Sequence, residues 1–317
     1  MGQKDLAAKQ FEGSLEVFAD IINAFIFEGE QVILPKDLQS APTESLYPAA
    51  QGMLHNQYND VSKYEMRNGR IVLQYTLENQ SKPDYRILLR KAGYEGAIYR
   101  QQYDGKDTYP AITLVLYWGE TAWNASLDLL RFFRRKKIHR KAKRYINNVC
   151  LHMYSMRCLP LEIRQRFLSD MRVVVDYLAE GKAYEPTDQE ITDVEGTMRM
   201  LCALTGDVDF INNIGMMQEY QKKGGRVTMC EVVDKFVQRG REQGIKEGIK
   251  EGMEKGMQEE KIRSATAFVK ETIMQKQSKE YIIGMLQNCF RLKEEEADHL
   301  YREGYEREHE AEIPAFT

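Results

Sequence analysis

The chain has 317 residues, of which 43% are apolar and 29% charged, and its formal net charge is −3 at pH 7. This is the composition of a soluble globular protein, and the net charge excludes a general attraction of the whole chain to phosphate. Its five cysteines show no CxxC spacing, no apolar run approaches 18 residues and the start has no apolar signal core, so we expect a cytoplasmic protein without a disulfide framework, zinc site or membrane span.

Residues 5–28 carry apolar side chains at helical spacing, which predicts an amphipathic helix packed on a core. The apolar positions are Leu15, Phe18, Ala19, Ile22, Phe25 and Ile26. Asp20 lies within this helix, where a solvated or cap-pairing acid is the simplest interpretation. Residues 29–58 contain three prolines among polar residues, which indicates a loop-rich connection.

Residues 60–66 and 70–80 have strand patterns and are joined by Arg67-Asn68-Gly69. Asn-Gly between two such runs is a strong hairpin signal. Side chains alternate between the two faces of a strand, so Glu78 and Gln80 share one face near its end. A carboxylate and a carboxamide are therefore predicted side by side.

The turn decides whether Asp60 joins them. A two-residue loop at Asn68-Gly69 would leave Asp60 on the face opposite Glu78. A three-residue loop from Arg67 to Gly69 would pair Asp60 with Thr76 and make Asp60 and Glu78 diagonal neighbours on one face, and a bulge could have the same effect. We expect that arrangement, with both side chains within reach of one ion.

The next segments predict a layered α/β domain. Residues 81–102 have a helical pattern that includes Arg90, which either approaches a phosphate or pairs with an acid. Ile112–Trp118 is apolar on both faces, as in a central strand, and residues 149–154 predict another strand. Residues 161–178 form a second amphipathic pattern. A helix between two neighbouring strands favours a right-handed crossover.

Residues 131–144 form a basic block without an acid. Within it we single out Arg134, Arg135, Lys136 and Lys137 as candidate nucleic-acid contacts. Such dense local charge can hold a nucleic-acid backbone even when the whole chain is mildly acidic. The alternative is the solvated end of a helix.

The remainder is predicted to be helical. We expect a helical region over residues 184–238, a Gly-repeat helix or linker over 239–261 and a helical segment over 262–317. In the repeat, Gly recurs every four residues from Gly240 to Gly256, followed from Gly244 on by Ile or Met. Interspersed charges exclude a membrane span, so the repeat is either a self-association helix that makes a homo-oligomer or a mobile linker.

Several of these segments together resemble a known family. They are Phe18-Ala19-Asp20-Ile21-Ile22-Asn23, Glu78-Asn79-Gln80-Ser81 followed by Tyr85, Arg90, Tyr94 and Tyr99, and Pro110 through Gly119. This pattern resembles the recombination-promoting nuclease (Rpn) and putative transposase family of the PD-(D/E)XK nucleases. The resemblance covers the first 180 residues well, so residues 1–183 are predicted to be a nuclease-like domain.

The resemblance implies a restriction-endonuclease-like mixed sheet flanked by helices, with a C-terminal helical extension. It implies a DNA endonuclease of recombination or mobile elements that uses Mg²⁺ or Mn²⁺, with Asp60, Glu78 and Gln80 catalytic and the two acids as metal ligands. Asp20 matches a first-helix acid that can contribute to such sites. Most PD-(D/E)XK nucleases have lysine at the third motif position, and this chain resembles their variant with Gln there. Gln80 cannot act as a base at neutral pH.

A second hypothesis comes from a different class of protein. The same fold can persist without catalysis, in a DNA-binding or assembly protein organised by the Gly-repeat helix. Dependence on a divalent metal separates the two hypotheses.

Overall fold

The computed structural model describes residues 3–48, 54–58, 60–105 and 108–310. The chain divides into two compact units, residues 1–236 and residues 237–317. Within the described ranges, no helix combines the length and apolar character that crossing a bilayer requires.

The strands of the first unit form two sheets. They are β1 (Leu38–Ser40), β2 (Glu44–Pro48), β3 (Leu54–Tyr58), β4 (Val61–Arg67), β5 (Arg70–Gln80), β6 (Ala111–Tyr117) and β7 (His152–Ser155). The larger sheet has the order β1-β4-β5-β6-β7. Its pairs are antiparallel from β1 to β5 and parallel from β5 to β7, so the predicted mixed sheet is confirmed. β2 and β3 form a separate antiparallel pair.

The described helices are α1 (Gln3–Gly13), α2 (Leu15–Ile26), α3 (Ile87–Arg100), α4 (Leu129–Phe132), α5 (Arg140–Lys143), α6 (Leu161–Arg164), α7 (Met171–Glu180), α8 (Val194–Thr205), α9 (Asp209–Lys222), α10 (Met229–Met274), α11 (Lys279–Phe290) and α12 (Glu294–Glu310). The helix predicted over residues 5–28 is thus two helices. Ser14 separates them because its backbone is extended and its hydroxyl accepts the amide of Val17, which makes it the N-cap of α2.

Two further helix predictions were wrong in extent. The helix predicted from residue 81 begins at Ile87, which leaves residues 81–86 as a loop after β5. The pattern over residues 161–178 is broken into α6 and α7. The side chain of Asp20 accepts hydrogen bonds from the loop between them, which an apolar pattern cannot predict.

The β4–β5 hairpin has a two-residue loop, since Arg67 pairs with Arg70. Asn68 (φ 52°) and Gly69 (φ 74°) supply the two left-handed residues that such a turn requires. A bulge then shifts the register between Met66 and Glu65, so that Val61 lies opposite Leu77. Our three-residue loop and its Asp60–Thr76 pairing were wrong. Extending the bulged register by one residue brings Asp60 level with Glu78, on the same face of the sheet.

Hydrophobic clusters cover both faces of the sheet. Leu114 and Leu116 of β6 belong to the main cluster, whereas Val115 belongs to a smaller one with Ile87 and Leu88 of α3. The main cluster includes residues from α1, α2, α7, α8 and α9. The region predicted over 184–238 therefore contributes to the same core as the sheet.

The second unit is a small helical assembly of the last part of α10 with α11 and α12. Its core contains Ala265, Val269, Ile282, Leu286, Leu292 and Ala297. The Gly repeat lies within α10 and is helical. The predicted C-terminal segment, 262–317, extends beyond residue 310, and those last residues lie outside the described part of the chain.

Candidate active site at the ends of β5 and β6

A pocket of about 630 Å³ opens at the carboxyl end of β5. It is lined by Lys9, Asp60, Glu78, Asn79, Gln80, Ser81, Lys82, Pro83, Asp84, Tyr85, Arg86 and Arg90. The pocket therefore collects all three residues predicted to be catalytic. Their positions follow from the bulged hairpin, which sets the residue before β4 beside the end of β5.

Asp60 is held by two donors. The backbone N–H of Asn79 donates to its Oδ2 over 2.7 Å. The Nζ of Lys9 lies 2.9 Å from its Oδ1, and the side chain of Asp60 is 17% exposed. Both carboxylate oxygens thus have partners, and the aspartate is fixed at the edge of the pocket.

Glu78 is almost fully buried. Its Oε1 accepts hydrogen bonds from Arg90 and, over 3.1 Å, from Nε2 of Gln80. Its Oε2 is buried and has no hydrogen-bond partner in the described part of the chain. Burial and, second to it, the charge of Asp60 raise the pKa of Glu78 to about 8, against the opposing effects of Arg90 and Lys9.

Arg90 has several acceptors in the same pocket. It forms ion pairs with Glu78 and, over 2.8 Å, with Asp84, and its Nε and Nη2 both lie within hydrogen-bond distance of the Tyr94 hydroxyl. Of the two interpretations of Arg90, the structure shows the pairing with acids. Its guanidinium nevertheless lines the pocket, beside the candidate catalytic residues.

The basic block lies elsewhere. Arg134, Arg135, Lys136 and Lys137 are exposed and do not line the pocket. In the described ranges none of them forms a salt bridge with an acid. Their positive charges therefore face solvent.

Asp20 does not belong to the pocket. Its carboxylate accepts hydrogen bonds from the amides of Leu168 and Ser169 and from the Ser169 hydroxyl, at 2.7 to 3.0 Å. Asp20 thus ties α2 to the loop before α7. The interpretation as a pairing acid is what the structure shows, and the role implied by the resemblance is not supported by its position.

Sequence reasoning missed Glu12 and Lys9 on α1. Glu12 is fully buried, and its Oε2 accepts a 2.6 Å hydrogen bond from Nδ2 of Asn79. Burial raises the pKa of Glu12 to about 8. The Oδ1 of Asn79 accepts a 2.6 Å hydrogen bond from Nε1 of Trp118. No local signal identifies these residues, because the position of α1 in the fold brings Lys9 to the pocket and Glu12 to Asn79.

The donor set fits a weakly coordinated hard cation. In the described residues no group of three or more His, Cys, Asp and Glu side chains has metal-binding geometry. Mg²⁺ keeps several waters, however, and needs only one or two carboxylates. Asp60 and Glu78, whose Oε2 is unpartnered in the described part of the chain, are two carboxylates at one pocket, and Lys9 and Arg90 neutralise part of their charge.

Comparison with known families gives one match. Residues 51–177 match the family model described as "Putative transposase, YhgA-like". No match was found among curated proteins or among solved structures. The matched segment contains Asp60, Glu78 and Gln80 as well as the basic block. The segment 51–177 is therefore similar to the YhgA-like putative transposase family, as its motifs predicted.

Proposed function

We propose that this protein is a DNA endonuclease that depends on Mg²⁺ or Mn²⁺ and acts in recombination or on mobile elements. The observation that carries the proposal is the convergence of Asp60, Glu78 and Gln80 on one pocket, with one oxygen of Glu78 buried and unpartnered. The family match supports a role linked to mobile elements. The mixed sheet, with Asp60 just before β4 and Glu78 near the end of β5, supports a restriction-endonuclease-like arrangement.

Hydrolysis of a phosphodiester adds one water across a P–O bond. The water oxygen bonds to phosphorus, the bond to one sugar oxygen breaks, one water proton ends on that sugar oxygen and the other is lost to solvent or to the new phosphate. A divalent ion held by Asp60 and Glu78 would activate the water and stabilise the charge that develops on the phosphate.

The chain itself orients these groups. The amide of Asn79 fixes Asp60, and Gln80 donates to Glu78, which leaves the carboxamide oxygen of Gln80 free to orient water by accepting a hydrogen bond. Because a carboxamide does not take up a proton near neutral pH, Gln80 positions water and does not deprotonate it.

Metal-dependent nicking of a supercoiled plasmid tests the proposal. We expect cleavage with Mg²⁺ or Mn²⁺ and none with EDTA. Asp60→Asn and Glu78→Gln should each slow cleavage at least about 100-fold, since each removes one charged ligand. Asp84→Asn is the matched control, because Asp84 is an acid of the same pocket outside the proposed ligand pair. Nicking that survives both ligand substitutions would overturn the proposal.

The basic block supports contact with the DNA backbone, at low sequence preference because phosphate contacts carry no sequence information. We expect the replacement of Arg134, Arg135, Lys136 and Lys137 by Ser to make the slope of log DNA affinity against log salt concentration less steep. The slope should change by up to about three to four, since each lost phosphate contact removes about one released counterion. Substituting the exposed Lys222 and Lys223 is the control. An unchanged slope in the quadruple variant would remove the block from the proposal.

A non-catalytic DNA-binding or assembly protein is the second candidate. The observation that favours it is that Lys9 and Arg90 already pair with the two acids. In that case DNA would bind with the same affinity in EDTA and in Mg²⁺, and no nicking would occur at any metal concentration.

Two further properties belong to the proposal. Ile245, Ile249, Met253 and Met257 of the Gly repeat are 56 to 70% exposed, which supports a homo-oligomer formed through this helix. Three exposed free thiols, Cys150, Cys158 and Cys289, are compatible with the reducing conditions of the cytoplasm.

A further inference from the structure

The pocket contains a lysine on an element other than the strand motif. Lys9 of α1 lines the pocket, its side chain is 22% exposed, and its Nζ lies 2.9 Å from Oδ1 of Asp60. At the strand position where most PD-(D/E)XK nucleases carry lysine, this chain has the neutral Gln80, as in the variant of these nucleases that it resembles. The charge missing from the strand is thus present in the same pocket, on α1.

α1 is anchored so that Lys9 has a fixed position. Ala8 and Phe11 are buried in the main hydrophobic cluster, and Glu12 accepts the hydrogen bond from Asn79 at the end of β5. At the C-terminal end of the helix, Nζ of Lys63 donates to the carbonyl of Gly13 over 2.8 Å. Lys9 is therefore presented by a helix tied to both strands of the hairpin.

The other cations of the pocket are placed differently. Arg90 is paired with Glu78 and Asp84. Lys82 and Arg86 lie on the exposed loop after β5, and within the described ranges neither forms a salt bridge with Asp60 or Glu78. Lys9 is the lysine that contacts Asp60 and also faces the pocket.

We infer that Lys9 supplies, from α1, the positive charge that the strand motif lacks, by fixing Asp60 and contacting a non-bridging oxygen of the phosphate to be cleaved. This inference rests on the proposed nuclease function. An ammonium beside the reacting phosphate stabilises the charge that develops in the transition state more than the charge of the bound substrate. Removing it should therefore lower kcat more than it raises KM.

The experiment moves the charge from α1 to the strand motif. Plasmid nicking with Mg²⁺ is measured for the wild type, Lys9→Met, Lys9→Arg, the double variant Lys9→Met with Gln80→Lys, and the control Lys36→Met, at an exposed lysine outside the pocket. We expect kcat to fall about 100-fold in Lys9→Met and less in Lys9→Arg, with KM changed less than about threefold. Lys36→Met should stay within about twofold of the wild type. The double variant should recover at least tenfold over Lys9→Met.

The outcomes separate this inference from the proposed function. A wild type that nicks with Mg²⁺ beside a Lys9→Met variant of equal kcat would overturn the inference and leave the nuclease intact. A folded, inactive Lys9→Met whose activity Gln80→Lys does not raise would show that Lys9 is structural, which also overturns it. If Lys9→Met does not fold, Lys9→Gln, with and without Gln80→Lys, makes the same comparison. A wild type that fails to nick with Mg²⁺ or Mn²⁺ overturns the proposed function and this inference with it.

Discussion

The backbone amide of Asn79 donates a 2.7 Å hydrogen bond to Oδ2 of Asp60, so a residue of β5 fixes the acid that precedes β4. The side chain of Asn79 in turn bridges Glu12 of α1 and Trp118, which follows β6. Asn79 thus joins three elements at the point where the candidate site forms. Its neighbours in sequence, Glu78 and Gln80, line the pocket, and the alternation of side chains along β5 places both on one face of the strand.

Replacing Asn79 by Ala removes both side-chain hydrogen bonds and leaves the carboxyl group of Glu12 and the indole N–H of Trp118 without them. An unsatisfied buried polar group costs about 1–3 kcal/mol, so we expect the free energy of unfolding to fall by about 2–4 kcal/mol. Urea denaturation measures this change. Asn212→Ala, at an exposed position of α9, should stay within about 0.5 kcal/mol of the wild type. An equally small effect at Asn79 would mean that the bridge contributes little to stability.

The pKa of Glu12 predicts a dependence of stability on pH. Burial raises this pKa from 4.5 to about 8, so between these values the folded state keeps a proton that the unfolded state has released. The stability that this group contributes is therefore present at low pH and is lost as the pH rises towards 8, by at most about 1.4 kcal/mol per pH unit. Glu78 has a pKa raised in the same direction and adds to the slope.

Glu12→Gln mimics the protonated acid and does not titrate. The free energy of unfolding of the variant should equal that of the wild type near pH 4.5 and exceed it at pH 8. Between these values it should depend less steeply on pH than that of the wild type. Urea denaturation in EDTA across this range measures both curves, and Glu30→Gln, at an exposed position, is the control. Parallel curves for Glu12→Gln and the wild type would show that Glu12 is ionised in the folded protein.

The sequence was sufficient to predict the hairpin and the central strand β6. These features depend on a period of two and on an Asn-Gly turn, which are local properties. The position of the bulge was not predictable in this way, because it depends on how β4 and β5 pack with their neighbours. We expected Asp60 and Glu78 to share a face through a three-residue loop or through a bulge; the loop was wrong, and a bulge sets the two acids on one face.

Lys9, Glu12 and the partners of Arg90 could not be predicted for a different reason. Their roles depend on where whole helices lie, and the helical period only shows which side of a helix is apolar. Asp20 illustrates the converse. Its sequence motif resembles that of the family, but in the fold its side chain accepts hydrogen bonds from the loop before α7 and does not line the pocket.

Arg90 neutralises the carboxylate that the proposed metal would use. Replacing it by Gln should tighten Mg²⁺ binding about fivefold, which corresponds to about 1 kcal/mol for a partly exposed pair. The measurement is calorimetry at pH 9, since Arg90 also lowers the pKa of Glu78 and its loss would favour protonation near neutral pH. Arg86→Gln is the control, because Arg86 lines the same pocket and forms no salt bridge with Glu78. Weaker binding in Arg90→Gln would show that Arg90 orders the site.

Asp20 should matter for stability alone. Asp20→Ala leaves two loop amides and the Ser169 hydroxyl without their acceptor, so the free energy of unfolding should fall by about 2–4 kcal/mol. The Mg²⁺ affinity of the folded variant should equal that of the wild type. Urea denaturation and calorimetry test the two parts separately, with Asp37→Ala as the control. A loss of Mg²⁺ affinity without a loss of stability would restore the metal role that the resemblance implied.

The role of the Gly repeat can be tested by replacing Gly248 and Gly252 by Ala. Apart from the adjoining residues and the backbone of the helix itself, a Cβ added at Gly248 or Gly252 would have no atom of the described chain within 4 Å, so alanine fits the isolated helix. Each replacement of Gly by Ala stabilises a helix by about 1 kcal/mol. The double variant should therefore melt at a higher temperature, as followed by circular dichroism.

The same double variant separates the two interpretations of the repeat. If the glycines let helices of two copies approach closely, the added methyl groups hold them apart, and the mass measured by light scattering should fall. Replacing the exposed Ile249 and Met253 by Gln should lower the mass too, whereas Lys246→Gln with Lys250→Gln on the same helix should not. A mass that stays constant in all these variants while helicity rises would identify the repeat as a linker and end the proposal that it assembles the protein.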